Sequence, residues 1–506
     1  MVSLGIGCLI MQVILDTKSV ESYRQFKAIK QLPSWKIRGH EASFPDEYSE
    51  MITGSKPHPR FCNWEPSEFL FDYQRGIADL AIRKRKYAVF AECGLGKTLI
   101  MLEFAFAAEQ YVRQANKKCL IVSPLMVVTQ TQKECERWYG RRVEYIPASR
   151  LQEWLENEDT ETVGITNYEA IKSDLRPGRL GCLALDESSL LKSHYGKWGT
   201  KLIELGKGLE WKLCLTGTPA PNDRIEYANH AVFLDAFPTV NAFLATYFVN
   251  RGQTSNRWEL KEHAVDDFYR SLSHWCIFLS DPSTYGWEDN TTGSIPPIKV
   301  HIHEVPLAPE QKELLATIDN KLFTTDLGGI ATRSAYGQIA KGKWNGKEIP
   351  TRKPGYVREL VGSWKESEST IVWCIYNYEQ DRLAKEMPDA GSIAGDTPYE
   401  ERQRIVDGFK AGEIRTLITK PKILGFGLNL EIATRQVFSG LQDSYESYHQ
   451  AVKRSNRIGS TRPLNVHIPV TDVEEPMVAN VLQKAHRVQE DTMQQERLFK
   501  EQLWTS

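Results

Sequence analysis

The chain has no Cys-x-x-Cys pair, and its nine cysteines (8, 62, 93, 119, 135, 182, 214, 276 and 374) are scattered and odd in number. That pattern excludes a disulfide framework and a cysteine-based zinc site and reads as reduced thiols. A long apolar run is also missing. The longest apolar opening, residues 2–15, falls short of the roughly 18 residues a membrane span needs. It carries neither the basic flank nor the small-residue cleavage site of a secretion signal. Nor is one charge in excess: 63 Lys and Arg stand against 65 Asp and Glu, for a net of -2. A polyanion binder acting through a basic tail is excluded, so a nucleic-acid site must be a local basic surface. These absences together predict a cytoplasmic protein with no membrane partner.

What is present is ordinary globular material, 506 residues that are 41% hydrophobic and 25% charged. At roughly 150 residues per domain this amounts to about three domains with sizeable cores. Residues 1–60 read as a small accessory module. Within it, 1–10 fit either an upstream extension or an ordinary first strand, and Met11 opens the strand-like MQVILDTKSV. From residue 61 to 226 short apolar runs alternate with helical stretches: YAVFA, CLIV, VGIT, CLAL and KLCL. Buried strands alternating with helices predict a parallel, doubly wound sheet. Residues 227–300 read as an aromatic-rich helical insertion or linker. A second α/β series occupies 301–475, with a linker over 301–369 and strands at TIVWCI, GSIA, TLI, QVF and VHIPV. Residues 476–506 read as a charged amphipathic helix. The fold class is therefore α/β, with two lobes in tandem.

The chemistry gathers at strand ends. In AECGLGKT (91–98) a strand runs through a glycine-rich turn into a helix, so backbone N–H groups and the helix dipole meet at one point, as phosphate requires. Gly94 and Gly96 allow close approach, with Leu95 between them. Lys97 offers charge to the β- and γ-phosphates, and Thr98 a hydroxyl to Mg²⁺. Ala91 stands where the strict pattern wants glycine. LALDESS places Asp186 and Glu187 at the end of another apolar strand. One carboxylate suits a metal and the next suits an attacking water. TGTPAPN (216–222) follows a third buried strand. Far downstream, Gln450, Arg454 and Arg457 in HQAVKRSNRIGS share a helical spacing, which would put both arginines on one face. An arginine delivered to a γ-phosphate stabilises the charge that builds there. Two basic clusters, RKRK (83–86) and Lys341, Lys343, Lys347, Arg352 and Lys353 with Trp344 interleaved, are candidate phosphate contacts, solvated loops being the alternative.

In chain order FDYQ (71–74), AECGLGKT, SP (123–124), TNYE (166–169), LDESSLLK (185–192), TGTPAPN, GFGLNL (425–430) and QAVKRSNRIG (450–459) resemble a superfamily 2 helicase-type motor of the Snf2-like branch. The resemblance covers residues 65–470. It implies two RecA-like lobes with ATP and Mg²⁺ between them, Gln74 on adenine, and Gly94, Leu95, Gly96, Lys97 and Thr98 around the phosphates. It implies Asp186 on the metal through water and Glu187 on the hydrolytic water. Gln450 and Arg454 would complete the site, with Arg457 as the arginine finger. Ser123, Pro124, Thr166, and Gly427 and Asn429 of the 425–429 loop would lie along the nucleic-acid backbone. Many remodelling relatives carry an aspartate and W-N-P before the glutamine, where this chain has SGLQDSYESYHQ. Its size and motif texture look more like the compact bacteriophage or bacterial proteins of this branch, whose compartment would be a bacterial or host-cell cytoplasm.

The expected function is an ATP-dependent motor that translocates on DNA, duplex favoured, and remodels or unwinds it. Two alternatives stay open: a strand-separating DNA or RNA helicase, and the ATPase subunit of a restriction or replication-control complex. Protein partners would dock through residues 1–60 and 227–296.

Overall fold

Runs of β-branched and apolar residues buried on both faces build two parallel sheets, each in its own compact unit: Met1–Asn290 with Val488–Ser506, and Thr291–Arg487. The computed structural model describes residues 10–56, 64–158, 161–192, 197–252, 258–288, 295–322, 329–365, 367–424, 430–441, 444–457 and 460–503. Among these, no helix is long and apolar enough to cross a membrane.

The first unit begins with a small antiparallel sheet of β1 (Ile10–Ile14), β2 (Lys36–Arg38) and β3 (Glu41–Pro45), with β3 in the middle. Leu15, Ile29, Leu32, Ala42, Phe44 and Ile52 form its own core. The large sheet follows, from β4 (Lys86–Ala91), β5 (Lys118–Ser123), β6 (Glu144–Tyr145), β7 (Val163–Asn167), β8 (Leu180–Asp186) and β9 (Trp211–Thr216). A short pair, β10 (Phe248–Asn250) and β11 (Trp258–Leu260), precedes its last strand, β12 (Cys276–Leu279). The order is β12-β4-β9-β8-β5-β7-β6, parallel throughout. Alternate residues feed opposite cores: Tyr87, Val89 and Ala91 enter one, Ala88 and Phe90 the other.

Residues 227–288 do hold helices, at Tyr227–Phe233, Val240–Tyr247 and Val265–Trp275. They also supply β12, which pairs with the glycine-loop strand β4 and which a purely helical reading overlooks. CIFL follows its helix with no turn residue between, so no local signal separates them. The helix Glu475–Leu503 ends against this edge. Gln495 Oε1 accepts the Phe278 N–H at 3.3 Å, and Glu496 accepts the Ser280 N–H and hydroxyl, both at 2.7 Å.

The second unit contains β13 (Ile298–Glu304), a hairpin of β14 (Lys343–Trp344) and β15 (Lys347–Glu348), then β16 (Ser369–Trp373), β17 (Gly391–Ser392), β18 (Thr416–Thr419), β19 (Ala433–Phe438) and β20 (Leu464–Val470). Its sheet runs β13-β20-β19-β16-β18-β17, again all parallel. Two α/β units with parallel sheets match the tandem-lobe expectation. β13 lies just ahead of and inside the stretch expected as linker, because IKVHIHE carries polar residues at alternate positions.

Candidate functional site

β4 ends at Ala91 and the helix Lys97–Gln114 begins six residues later. The turn between them needs left-handed backbone at Gly94 (φ +93°) and Gly96 (φ +71°). A Cβ at Gly96 would collide with Gln74 Nε2. No acidic residue occupies the first helical turn, which leaves its N–H groups to an anion. The Lys97 ammonium donates to the carbonyls of Ala91 (2.8 Å) and Glu92 (3.2 Å), and Thr98 is half-buried beside it.

Gln74, expected on adenine, is buried and spends its carboxamide inside the lobe. Its Oε1 accepts the Phe71 N–H at 3.0 Å, and its Nε2 donates to the carbonyl of Leu95 at 3.4 Å. The Tyr73 hydroxyl donates to the same carbonyl at 3.3 Å. These two residues pin the glycine loop to the helix Asp72–Lys84. Tyr73 was not singled out from sequence, although it sits inside FDYQ.

Two strands across from β4, β8 delivers Asp186. Its Oδ2 accepts the Ser123 hydroxyl at 2.9 Å and its Oδ1 the Glu187 N–H at 3.1 Å. Burial, and then the neighbouring Glu187 carboxylate, push the Asp186 carboxyl up to about 7, against the opposing pull of Ser123 and Lys97. Glu187 adopts left-handed backbone (φ +51°), which costs a non-glycine residue about 1–2 kcal/mol. From β9, between them, the Thr216 hydroxyl donates to Glu187 Oε2 at 3.3 Å and accepts the Thr218 N–H at 3.1 Å. A Cβ on Gly217 would stand 3.8 Å from Lys97 Nζ. Lys97, Asp186, Glu187 and Thr216 therefore converge at the carboxyl ends of three adjacent strands, where α/β sheets bind ligands. Behind them Ser188 meets His230 Nε2 at 3.1 Å, and burial lowers that imidazole to about 4, so it is neutral. Among the described residues no group of three or more His, Cys, Asp or Glu is arranged to hold a metal.

The residues expected along nucleic acid separate. Ser123 is buried on Asp186, and Thr166 is buried with its hydroxyl donated to the Ile146 carbonyl at 2.6 Å. Both side chains are used within the lobe. Pro124 caps the helix Leu125–Tyr139 and is partly exposed. Gly427 and Asn429 lie outside the described residues. The RKRK cluster is neutralised at every position: Arg83 by Asp79, Lys84 by Glu47, Arg85 by Glu210 and Lys86 by Asp235. Two of the second basic group are core residues, because Lys341 and Lys353 both reach Glu474 at 2.6 Å with all three side chains buried.

In the second unit, the helix Tyr445–Val452 carries Gln450 but stops before the arginines. The single helical face expected for Arg454 and Arg457 does not form. The Arg457 N–H donates to Ser460 Oγ at 3.2 Å, and that hydroxyl donates to the Ser455 carbonyl at 2.6 Å. Serines that bond the backbone locally compete with helix. Gln450 and Arg454 are buried, and Arg457 is partly exposed.

The chain matches the SNF2-related domain over residues 83–349 and the helicase conserved C-terminal domain over 352–459. It is 26% identical over 436 residues to putative protein p41 of Acyrthosiphon pisum secondary endosymbiont phage 1, covering 78% of this chain and 91% of that one. It is 23% identical over 430 residues to the SWI/SNF-related matrix-associated actin-dependent regulator of chromatin subfamily A-like protein 1 of Drosophila melanogaster, covering 77% of this chain and 51% of that one. The chain thus spans about half the length of the fly relative. The Sulfolobus solfataricus SWI2/SNF2 ATPase core in complex with dsDNA is similar at 18% identity and a TM-score of 0.40, covering 86% of this chain and 99% of that one. With the SNF2-related match alone covering more than half of its length, this chain belongs to the SNF2-related family, the Snf2-like branch of helicase-type ATP-dependent motors.

Proposed function

We propose that the chain hydrolyses ATP at the Lys97–Asp186–Glu187 cluster and uses the cycle to translocate along duplex DNA. The observation that carries the reading is the convergence of a phosphate-binding loop, a buried carboxylate and a second carboxylate tied to β9 by Thr216. The oxygen donors present fit Mg²⁺: Thr98 and, through water, Asp186 would hold it, and when bound it neutralises charge on the phosphates. Lys97 exchanges the carbonyls of Ala91 and Glu92 for β- and γ-phosphate oxygens. Glu187 orients water and accepts its proton as the new oxygen–phosphorus bond forms and the bond to the ADP oxygen breaks. Gln450, Arg454 and Arg457 stabilise charge on the γ-phosphate, with Arg457 as the finger. Gln74 acts through the loop it pins, next to the nucleotide.

A motor of this kind holds phosphates rather than base edges, so its binding is sequence-independent and weakens with salt. The test is turnover in three variants. Lys97→Ala should lose nucleotide binding or hydrolysis, Glu187→Gln should bind ATP and trap it, and Arg457→Ala should lose hydrolysis at nearly unchanged affinity. Full turnover in all three would overturn the assignment.

A further inference from the structure

RKRK is consumed by ion pairs, as are Lys341 and Lys353 of the second cluster, whereas a stretch near the amino end keeps all of its cations out of them. Between residues 18 and 40 there are six cations, Lys18, Arg24, Lys27, Lys30, Lys36 and Arg38, against Glu21 alone. All six are exposed, and among the described residues none of their side chains enters an ion pair. The chain as a whole is at -2, so this is a local reversal of sign.

The fold gathers these cations on the outside of the N-terminal module. Arg24, Lys27 and Lys30 follow one another at intervals of three along the helix Val20–Ile29 and its C-cap, while Ile29 faces the small core. Lys30 Nζ lies 5.8 Å from the ring centre of Trp35, which is 41% exposed. Trp35 leads directly into β2, where Ile37 turns into the core and Lys36 and Arg38 turn away from it. Trp35 thus stands between Lys30 and Lys36, and Tyr23, 62% exposed, adjoins Arg24. Glu41 is the acidic residue facing it, opposite Arg38 in the strand register.

Glu47 and Tyr48 join the module to the lobe, while Asp16, Glu21, Glu41 and Glu50 are exposed. Asp46 is buried, and Glu47 pairs with Lys84 (2.7 Å) and lies 3.2 Å from His274 Nδ1, while the Tyr48 hydroxyl also meets His274 at 3.2 Å. Lys84 and His274 immediately precede β4 and β12. The module is therefore anchored at the amino ends of the strands, the opposite pole of the sheet from the glycine loop. Away from that anchor, the cations from Lys18 to Arg38 stay exposed.

We propose that the exposed cations Arg24, Lys27, Lys30, Lys36 and Arg38, with Trp35 among them, form a second DNA-binding surface, which grips the phosphate backbone outside the motor's own contacts. Unpaired cations interleaved with exposed aromatics match a sequence-independent polyanion carrying π-faces, and nothing in this surface reads bases. The inference rests on the reading of the chain as a DNA motor and adds a site to it.

The experiment measures binding of labelled duplex and single-stranded DNA to the full chain across a salt series. Lys27→Ala/Lys30→Ala/Lys36→Ala/Arg38→Ala should lower the slope of log affinity against log salt by about 2 or more, because each lost phosphate contact on duplex removes about 0.9. Affinity at low salt should fall about tenfold or more, with ATP turnover in the absence of DNA unchanged. The charge-preserving set Lys27→Arg/Lys30→Arg/Lys36→Arg should keep the wild-type slope. Independently of any variant, DNA should shield Lys27, Lys30 and Lys36 of the wild-type chain from an amine-reactive label. An unchanged slope, or lysines labelled equally with and without DNA, would overturn the proposal and point to a protein partner for this face. A wild-type chain that binds no DNA at all would instead overturn the motor reading.

Discussion

At the scale of single residues, the proposed site depends on the protonation of Asp186. Asp186 would hold a cation only as a carboxylate, and burial with Glu187 beside it brings its carboxyl up to about 7. The folded state therefore retains a proton that the unfolded chain releases near 3.9. Ionising Asp186 costs the folded protein stability as pH rises from about 4 to 7, and a bound cation offsets that cost. Mg·ATP affinity should accordingly fall below about pH 7, approaching tenfold per pH unit. Ser123→Ala removes a hydrogen bond that favours the carboxylate and should move this limb to higher pH. Glu187→Gln removes a like charge and should move it to lower pH. Titrations of nucleotide affinity in the three proteins check this, and a limb unmoved in both variants would contradict it. Pattern alone singles out Asp186 and Glu187, but the hydroxyls of Ser123 and Thr216 become visible only when the ends of β5, β8 and β9 come together.

Among the elements, the ion pairs of Lys341 and Lys353 with Glu474 join three segments of the second unit. Lys353 Nζ also donates to the Ser439 carbonyl at 2.7 Å, at the end of β19, and a Cβ on Gly440 would collide with the Lys341 side chain. Burial alone would raise the Glu474 carboxyl, but Lys341 and Lys353 outweigh it and hold it at about 2. This stabilisation is complete above the unfolded value near 4.3 and is lost as pH falls toward 2. Glu474→Gln strands two buried ammonium groups and should cost about 3–5 kcal/mol, read as a lower denaturation midpoint whose deficit against wild type shrinks in acid. A neutral substitution without loss would contradict the buried geometry. Sequence shows which residues are charged but not which are paired, so Lys341 and Lys353 read there as solvent-facing cations. The same limit hides the end of the helix Tyr445–Val452, because spacing alone keeps Arg454 and Arg457 in phase.

Over the whole molecule, the first unit brings Lys97, Asp186, Glu187 and Thr216 to adjacent strand ends, and the large sheets were legible because strands buried on both faces read as unbroken apolar runs. β8, buried at every position, is the clearest case. β12 and β13 were not legible: one abuts a helix, and the other alternates histidines and a lysine with its apolar residues. The C-terminal helix was foreseen, though not its docking. Asp491 accepts the Tyr269 hydroxyl at 2.7 Å and Arg224 at 2.6 Å, far away in sequence. Removing residues 488–506 would strip these bonds and those of Gln495 and Glu496 from the edge beside β4. That truncation should lower the thermal midpoint of the first unit and weaken ATP binding together, whereas full ATP affinity in the shortened chain would show that the edge is independent of the loop.

The proposed motor turns over ATP in response to the backbone of duplex DNA. Its most direct test is steady-state hydrolysis by the purified chain with no polymer, duplex DNA, single-stranded DNA and RNA, each at low and high salt. Duplex should stimulate turnover strongly, independent of its sequence and fading as salt rises. Turnover that is highest with RNA, or indifferent to every polymer, would contradict it.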